Sequence, residues 1–208
     1  QELGIRPELL RPLFDCHQVV GQVTDAAAAL TGLASGTPVV AGGLDAACGT
    51  LGAGVCKAGE AQEQGGQAGG MSLCIDRYAA DPRLILSAHV VTDHWLLQGG
   101  TTGGGGALKW LREQTCPELS FAQMSDLAES VPAGSDGVLF LPYMAGERSP
   151  IWNPNACGVF FGLNYAKTRA HAIRAVMEGV AYALRHNLEV AREAGTQGGT
   201  LRAMGGSA

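Results

Sequence analysis

A chain of 208 residues, 46% apolar and 16% charged, is long enough to bury a core of its own. No stretch approaches the roughly 20 consecutive apolar residues that cross a bilayer, so a soluble globular protein with no membrane partner is expected. A formal net charge of −5, with no stripe of Lys or Arg, argues against a nucleic-acid partner.

In chain order, residues 1–13 lack the basic, apolar and small-residue regions of a secretory leader, and nothing there suggests export. His17–Val23 reads as a short strand, Thr24 caps an alanine-rich helix that Gly32 ends, and Thr37–Ala41 is a second strand. That strand runs through Gly42 and Gly43 into Asp45, at the head of a small-residue helix over Ala46–Gly54. Glu60–Gly70 is polar and glycine-rich. Met71–Ile75, Leu84–Val91 and Trp95–Gln98 then look like strands of an antiparallel meander. Gly103–Gly106 opens a helix carrying Ala107, Leu108, Trp110 and Leu111, and Ser120 with Gln123 forms a capping box for the next. Val138–Leu141 reads as a buried strand. Thr168 to about Ala194 is a long helix with Ile173, Val176, Met177, Val180, Leu184, Leu188 and Ala191 on one apolar face. Leu201–Met204 is a last strand, entering Gly205 and Gly206. Strands mixed with helices and no internal repeat give an α/β or α+β domain.

Glycine supplies 31 of the 208 residues, about twice the roughly 7% usual in proteins. It clusters beside apolar runs, where backbone N–H groups can come close to a ligand. The standard nucleotide motifs are absent: there is no GxGxxG, and none of Lys57, Lys109 or Lys167 follows a glycine. HExxH and GxSxG are missing too, which removes zincin and α/β-hydrolase chemistry. The six cysteines show no CxxC spacing and no neighbouring histidine cluster, so they read as buried free thiols of a reducing cytoplasm. His89 and His94 are poorly placed for a metal pair. From local sequence, Asp45 is either an N-cap or a base that could take a proton from a hydroxyl during phosphoryl transfer. Glu147 and Arg148 form a structural ion pair or border a cleft, and Trp95 and Trp152 serve packing.

The segments TPVVAGGLDAACGTLGAGV, PYMAGERSPIWNP, and GVFFGL followed by RAVMEGVAYALRHNLEV resemble, in order, segments of the FGGY family of carbohydrate kinases. The resemblance runs from about Gly4 to Gly206. It implies an α/β, ribonuclease H-like (actin-like ATPase) fold: residues 1–56 would be the tail of the sugar-binding domain and 57–208 most of the nucleotide-binding domain. It implies ATP-dependent phosphorylation of a sugar hydroxyl, a ketopentose such as xylulose first, with ATP and Mg²⁺ as cofactors and no metal ligand assigned in this chain. By the same resemblance Asp45 matches the family's general base. Gly66 and Gln67 occupy the phosphate loop, where GQA replaces the usual GTS. Gly105 and Lys109 align near the nucleotide, Trp110 with a core position, and Gly205 and Gly206 with the adenine-side turn. The altered loop favours, as an alternative, a nucleotide-binding sensor without phosphoryl transfer. The first domain's early strands have no counterpart here, so the chain reads as an internal fragment, inactive by itself; a homodimer is left open.

Overall fold

The computed structural model describes residues 4, 6–9, 12–196 and 198–206, so part of the 1–13 stretch read for a leader lies outside the described residues. The chain divides into two compact units, 1–49 and 50–208.

In the first unit, β1 (Val19–Gln22) pairs antiparallel with β2 (Pro38–Val40), with a register irregularity between Val19 and Gly21. Between them lies α1 (Asp25–Thr31). The Thr24 side chain accepts the Ala27 N–H at 3.2 Å, which satisfies one of the orphan donors of the first turn. Four consecutive alanines carry the helix, and Gly32 ends it in the left-handed region at φ 77°. Helix α2 (Asp45–Gly52) crosses from the first unit into the second.

The second unit is built on a five-stranded sheet. Its strands are β3 (Ala61–Gly65), β4 (Gly69–Ile75), β5 (Ile85–Ala88), β6 (Trp95–Thr101) and β9 (Leu201–Gly205), in the order β5-β6-β4-β3-β9. Only the β3–β9 pair is parallel; every other pair is antiparallel. The expected meander is therefore corrected, because β6 sits between β4 and β5. Strand β3 was hidden by its composition: AQEQG carries no β-branched residue, yet Ala61 and Gln62 are both buried between two neighbouring strands.

Helix α3 (Gly105–Thr115), α4 (Phe121–Glu129) and the β7–β8 ladder (Leu139–Leu141 with Val159–Phe161) complete the unit with α5 (Arg169–Glu193). Ser120 and Gln123 form the expected capping box on α4, at 3.2 and 2.8 Å. At the start of α5, the Thr168 N–H donates to Nδ1 of His171 at 3.1 Å.

One helix joins two cores. Ile173 and Val176 of α5 pack with Leu111, Met124 and Val138, while Val190 and Ala191 pack with Met71, Leu73 and Leu97. Each such fully buried Leu, Ile or Val contributes roughly 1.5–3 kcal/mol. The middle of the buried stripe is Gly179, Ala183 and Asn187; of the expected apolar face, Val180, Leu184 and Leu188 are half-buried and Met177 is exposed. Close approach is the reason: a Cβ on Gly179 would overlap the Phe140 carbonyl, and one on Gly99 of β6 would lie 2.6 Å from Cβ of Asn187.

Two further expectations are corrected. Trp110 is partly exposed at 38% and is not a core residue. Of the six free cysteines only Cys74 and Cys116 are buried, Cys48 and Cys157 being exposed. Burial foremost pushes the Cys74 thiol up to about 11, which makes it a poor nucleophile.

Candidate functional site

Glycines converge at one end of the five-stranded sheet. The β3–β4 hairpin turns through Gly66, Gln67 and Ala68, with Gly65 paired to Gly69 across the hairpin and to Gly205 on the parallel side. Thr101, the last residue of β6, pairs with Gly69. At that same end the chain passes through Gly103 and Gly104 into α3.

Helix α3 lacks a capping side chain at Gly104. Its cap is tertiary: the Gly105 N–H donates to the Gly66 carbonyl at 2.8 Å, and the Gly106 N–H to the Gln67 carbonyl at 2.9 Å. Two orphan donors of the helix are thus satisfied by the hairpin loop. The joint tolerates no side chain at Gly104, where a Cβ would stand 2.5 Å from the Gly69 nitrogen and closer still to the carbonyl carbon of Ala68. Gly205, at φ 97°, lies so near Gly65 that a Cβ would overlap its carbonyl oxygen.

The structure therefore gathers Gly66, Gln67, Gly105 and Gly205 at one sheet end, with Gly206 following in the turn. Lys109 stands one turn further along α3, exposed, its ammonium 3.8 Å from Glu113 in an i,i+4 pair.

A second loop is stitched onto the same end. Glu147 is buried, and its carboxylate accepts the Thr101 hydroxyl at 2.6 Å, the Thr102 N–H at 3.0 Å and the Arg148 N–H at 2.7 Å. The Thr102 hydroxyl donates to the Gly146 carbonyl at 2.5 Å, and the Ser149 hydroxyl accepts the Gly100 N–H at 2.6 Å. The expected ion pair between Glu147 and the Arg148 guanidinium is not formed among the described residues; backbone and hydroxyl donors hold the carboxylate instead. Sequence reading missed this clasp, since nothing in GERSP names its partners 46 residues away. Beside it, burial foremost and then the Glu147 charge push the Tyr143 phenol up. On β3, burial likewise pushes the Glu63 carboxyl up.

In the first unit, the Cys48 N–H donates to the Leu44 carbonyl at 2.9 Å, so Leu44 occupies the N-cap position of α2 and Asp45 is the first helical residue. The N-cap alternative for Asp45 is corrected accordingly. Its exposed carboxylate spends Oδ1 on the Ala46 N–H, at 2.7 Å.

Among the described residues no group of three or more His, Cys, Asp or Glu could hold a metal. His89 is buried and structural: Nδ1 accepts the Val90 N–H and Nε2 reaches the Val55 carbonyl, both at 2.9 Å. Trp152 donates from Nε1 to the Arg83 carbonyl at 2.9 Å. No described helix is long and apolar enough to cross a membrane.

A mixed sheet with one parallel pair, three antiparallel neighbours and a glycine-built hairpin clamped on a helix start defines a chain of the actin-like ATPase fold. Residues 81–208 match the C-terminal domain of the FGGY family of carbohydrate kinases, and the chain belongs to that family. Xylulose kinase of Bacillus subtilis (strain 168) is 34% identical over 209 residues, covering 100% of this chain and 42% of that protein. Gluconokinase of the same organism is 34% identical over 192 residues, covering 87% of this chain and 37% of that protein. The crystal structure of xylulose kinase from Rhodospirillum rubrum superposes with a TM-score of 0.88 at 38% identity, over 98% of this chain and 42% of that one. The chain thus spans less than half the length of each of these relatives.

Proposed function

We propose that this chain is part of a sugar kinase that transfers the γ-phosphoryl group of MgATP to a hydroxyl of a ketopentose, xylulose first. Residues 1–56 would belong to the sugar-binding domain and 57–208 to the nucleotide-binding domain. The observation that carries the reading is the glycine joint in a family fold, where Gly66, Gly105, Gly205 and Gly206 leave bare backbone at one sheet end and Gln67 adds a single exposed amide. Backbone dipoles held in place suit phosphate oxygens because they need no reorganisation as charge develops. Lys109, free to swing from its weak surface pair, would add a cation. Magnesium would enter with the nucleotide as its counter-ion, on phosphate oxygens and water.

Asp45 would serve as the base. Its Oδ1 is oriented by the Ala46 N–H, and the following Ala46, Ala47 and Gly49 are small, so a sugar hydroxyl could approach and pass its proton to the carboxylate as the phosphoryl group transfers. The names of the relatives, xylulose kinase and gluconokinase, support a sugar acceptor and set the first two candidates. Six free thiols suit a cytoplasmic setting.

One observation favours the second reading, a nucleotide sensor without transfer. The first two N–H donors of α3 are already spent on the hairpin carbonyls, which leaves fewer donors for a γ-phosphate. A coupled assay of ADP release, with xylulose, gluconate or no sugar, separates the two. Sugar-dependent release by a longer form that includes the remaining length of the relatives supports the kinase; nucleotide binding with no sugar-dependent release supports the sensor. The 208-residue chain by itself is expected to show no such release, because in-line positioning of two substrates, worth roughly 7–11 kcal/mol in the best intramolecular cases, needs more walls than it supplies.

A further inference from the structure

Among the described residues the Arg148 side chain has no hydrogen-bond or ion-pair partner. Elsewhere in the second unit the arginines are engaged. Arg83, Arg169, Arg174, Arg185, Arg192 and Arg202 pair with carboxylates. Arg77 donates to the Gly195 carbonyl, and Arg112 donates to the Leu119 carbonyl and stacks on Phe121. Among the described residues the Arg148 guanidinium has neither an acid, a carbonyl nor a ring. It lies instead over bare backbone: a Cβ on Gly100 would be 2.8 Å from its Nη2 and 3.3 Å from its Cζ.

That backbone belongs to the glycine end of the sheet. Gly100 pairs with Gly70 of β4, two residues past the hairpin turn whose carbonyls cap α3. The base of the side chain is pinned on both sides. Its N–H is held by Glu147 at 2.7 Å, its carbonyl accepts the Trp152 N–H at 2.5 Å, and the next residue, Ser149, holds the Gly100 N–H. Only the guanidinium end is left exposed and unpaired, which lowers the entropy cost of aiming it.

We propose that Arg148 binds the terminal phosphates of the nucleotide, and that Glu147 is the positioning residue that holds it there. The proposal rests on the nucleotide reading above. A planar guanidinium offers a fork of donors matched to phosphate oxygens, which a point charge such as Lys109 does not. It would replace donors that α3 has given to the hairpin loop.

The test is calorimetric titration of the protein with ADP, inorganic tripolyphosphate and adenosine, in the wild type and in Arg148→Gln, Arg148→Lys and the control Arg169→Gln, with thermal unfolding to verify folding. Arg148→Gln is expected to weaken ADP and tripolyphosphate about ten-fold, the scale of a charge-assisted hydrogen bond, and to leave adenosine unchanged. Arg148→Lys should recover part of the loss, and Arg169→Gln should match the wild type. Wild-type binding of ADP that Arg148→Gln leaves intact overturns the proposal while the nucleotide reading stands. Failure of the wild type to bind either phosphate ligand overturns both.

Discussion

The carboxylate of Glu147 and the hydroxyl of Thr101, 2.6 Å apart and both buried, fasten the 146–149 loop to the last residue of β6. The same carboxylate also holds the Thr102 N–H, so three donors converge on one acid that has no cationic partner within the clasp. Glu147→Ala leaves the buried Thr101 hydroxyl without its acceptor and strips two part-buried N–H groups of theirs, and should lower stability by about 1–3 kcal/mol. Glu147→Gln, which keeps the shape but sets an amide N–H₂ against donors, should cost less than the alanine. Urea denaturation of the two variants ranks them; equal stability of wild type and Glu147→Ala would show that the clasp carries no energy.

Gly104→Ala tests the joint between hairpin and helix. Its Cβ meets the backbone of Ala68 and Gly69, which cannot rotate away as a side chain would, so α3 must shift off its tertiary cap. A loss of about 1–3 kcal/mol is expected, on the scale of overpacking. Nucleotide affinity should fall with it. Amide exchange at Gly105 and Gly106 reports the effect directly, since those two N–H groups make the bonds that would lengthen.

If the proposed kinase reading holds, Asp45→Asn in a form that includes the remaining length of the relatives should lower turnover by about 10²–10⁴, the usual scale for loss of a general base. Folding should be unaffected, because an asparagine side-chain oxygen can still accept the Ala46 N–H that now binds Oδ1. Steady-state ADP release with a saturating sugar makes the comparison; unchanged turnover would remove Asp45 from the chemistry.

Gln67→Thr restores a hydroxyl to the hairpin loop. The main-chain carbonyl of Gln67, not its exposed amide, holds the Gly106 N–H, so the substitution leaves the cap of α3 in place. ATP binding is expected to hold or tighten, with stability changed by less than about 0.5 kcal/mol. A large drop in affinity by calorimetry would instead show the Gln67 amide to be adapted to its ligand.

By itself the sequence determined what depends on neighbours in the chain. Thr24 and Gly32 bound α1, Ser120 and Gln123 start α4, and the 3.6-residue period of Ile173, Val176 and Ala191 gives α5, because caps and amphipathic stripes are set within a few residues. The motif order also carried the family and its fold. What only the tertiary structure decided are relationships between distant segments. β3 is a strand because β4 and β9 flank it, not because AQEQG favours one. The middle of α5 is Gly179, Ala183 and Asn187 because β6 and β7 come too close for leucine. Helix α3 has no capping residue of its own, and its first donors are met by carbonyls about 40 residues earlier, while Glu147 finds Thr101 46 residues away. Hydrogen-bond partners so far apart leave no local period or spacing, so the fold alone brings them together.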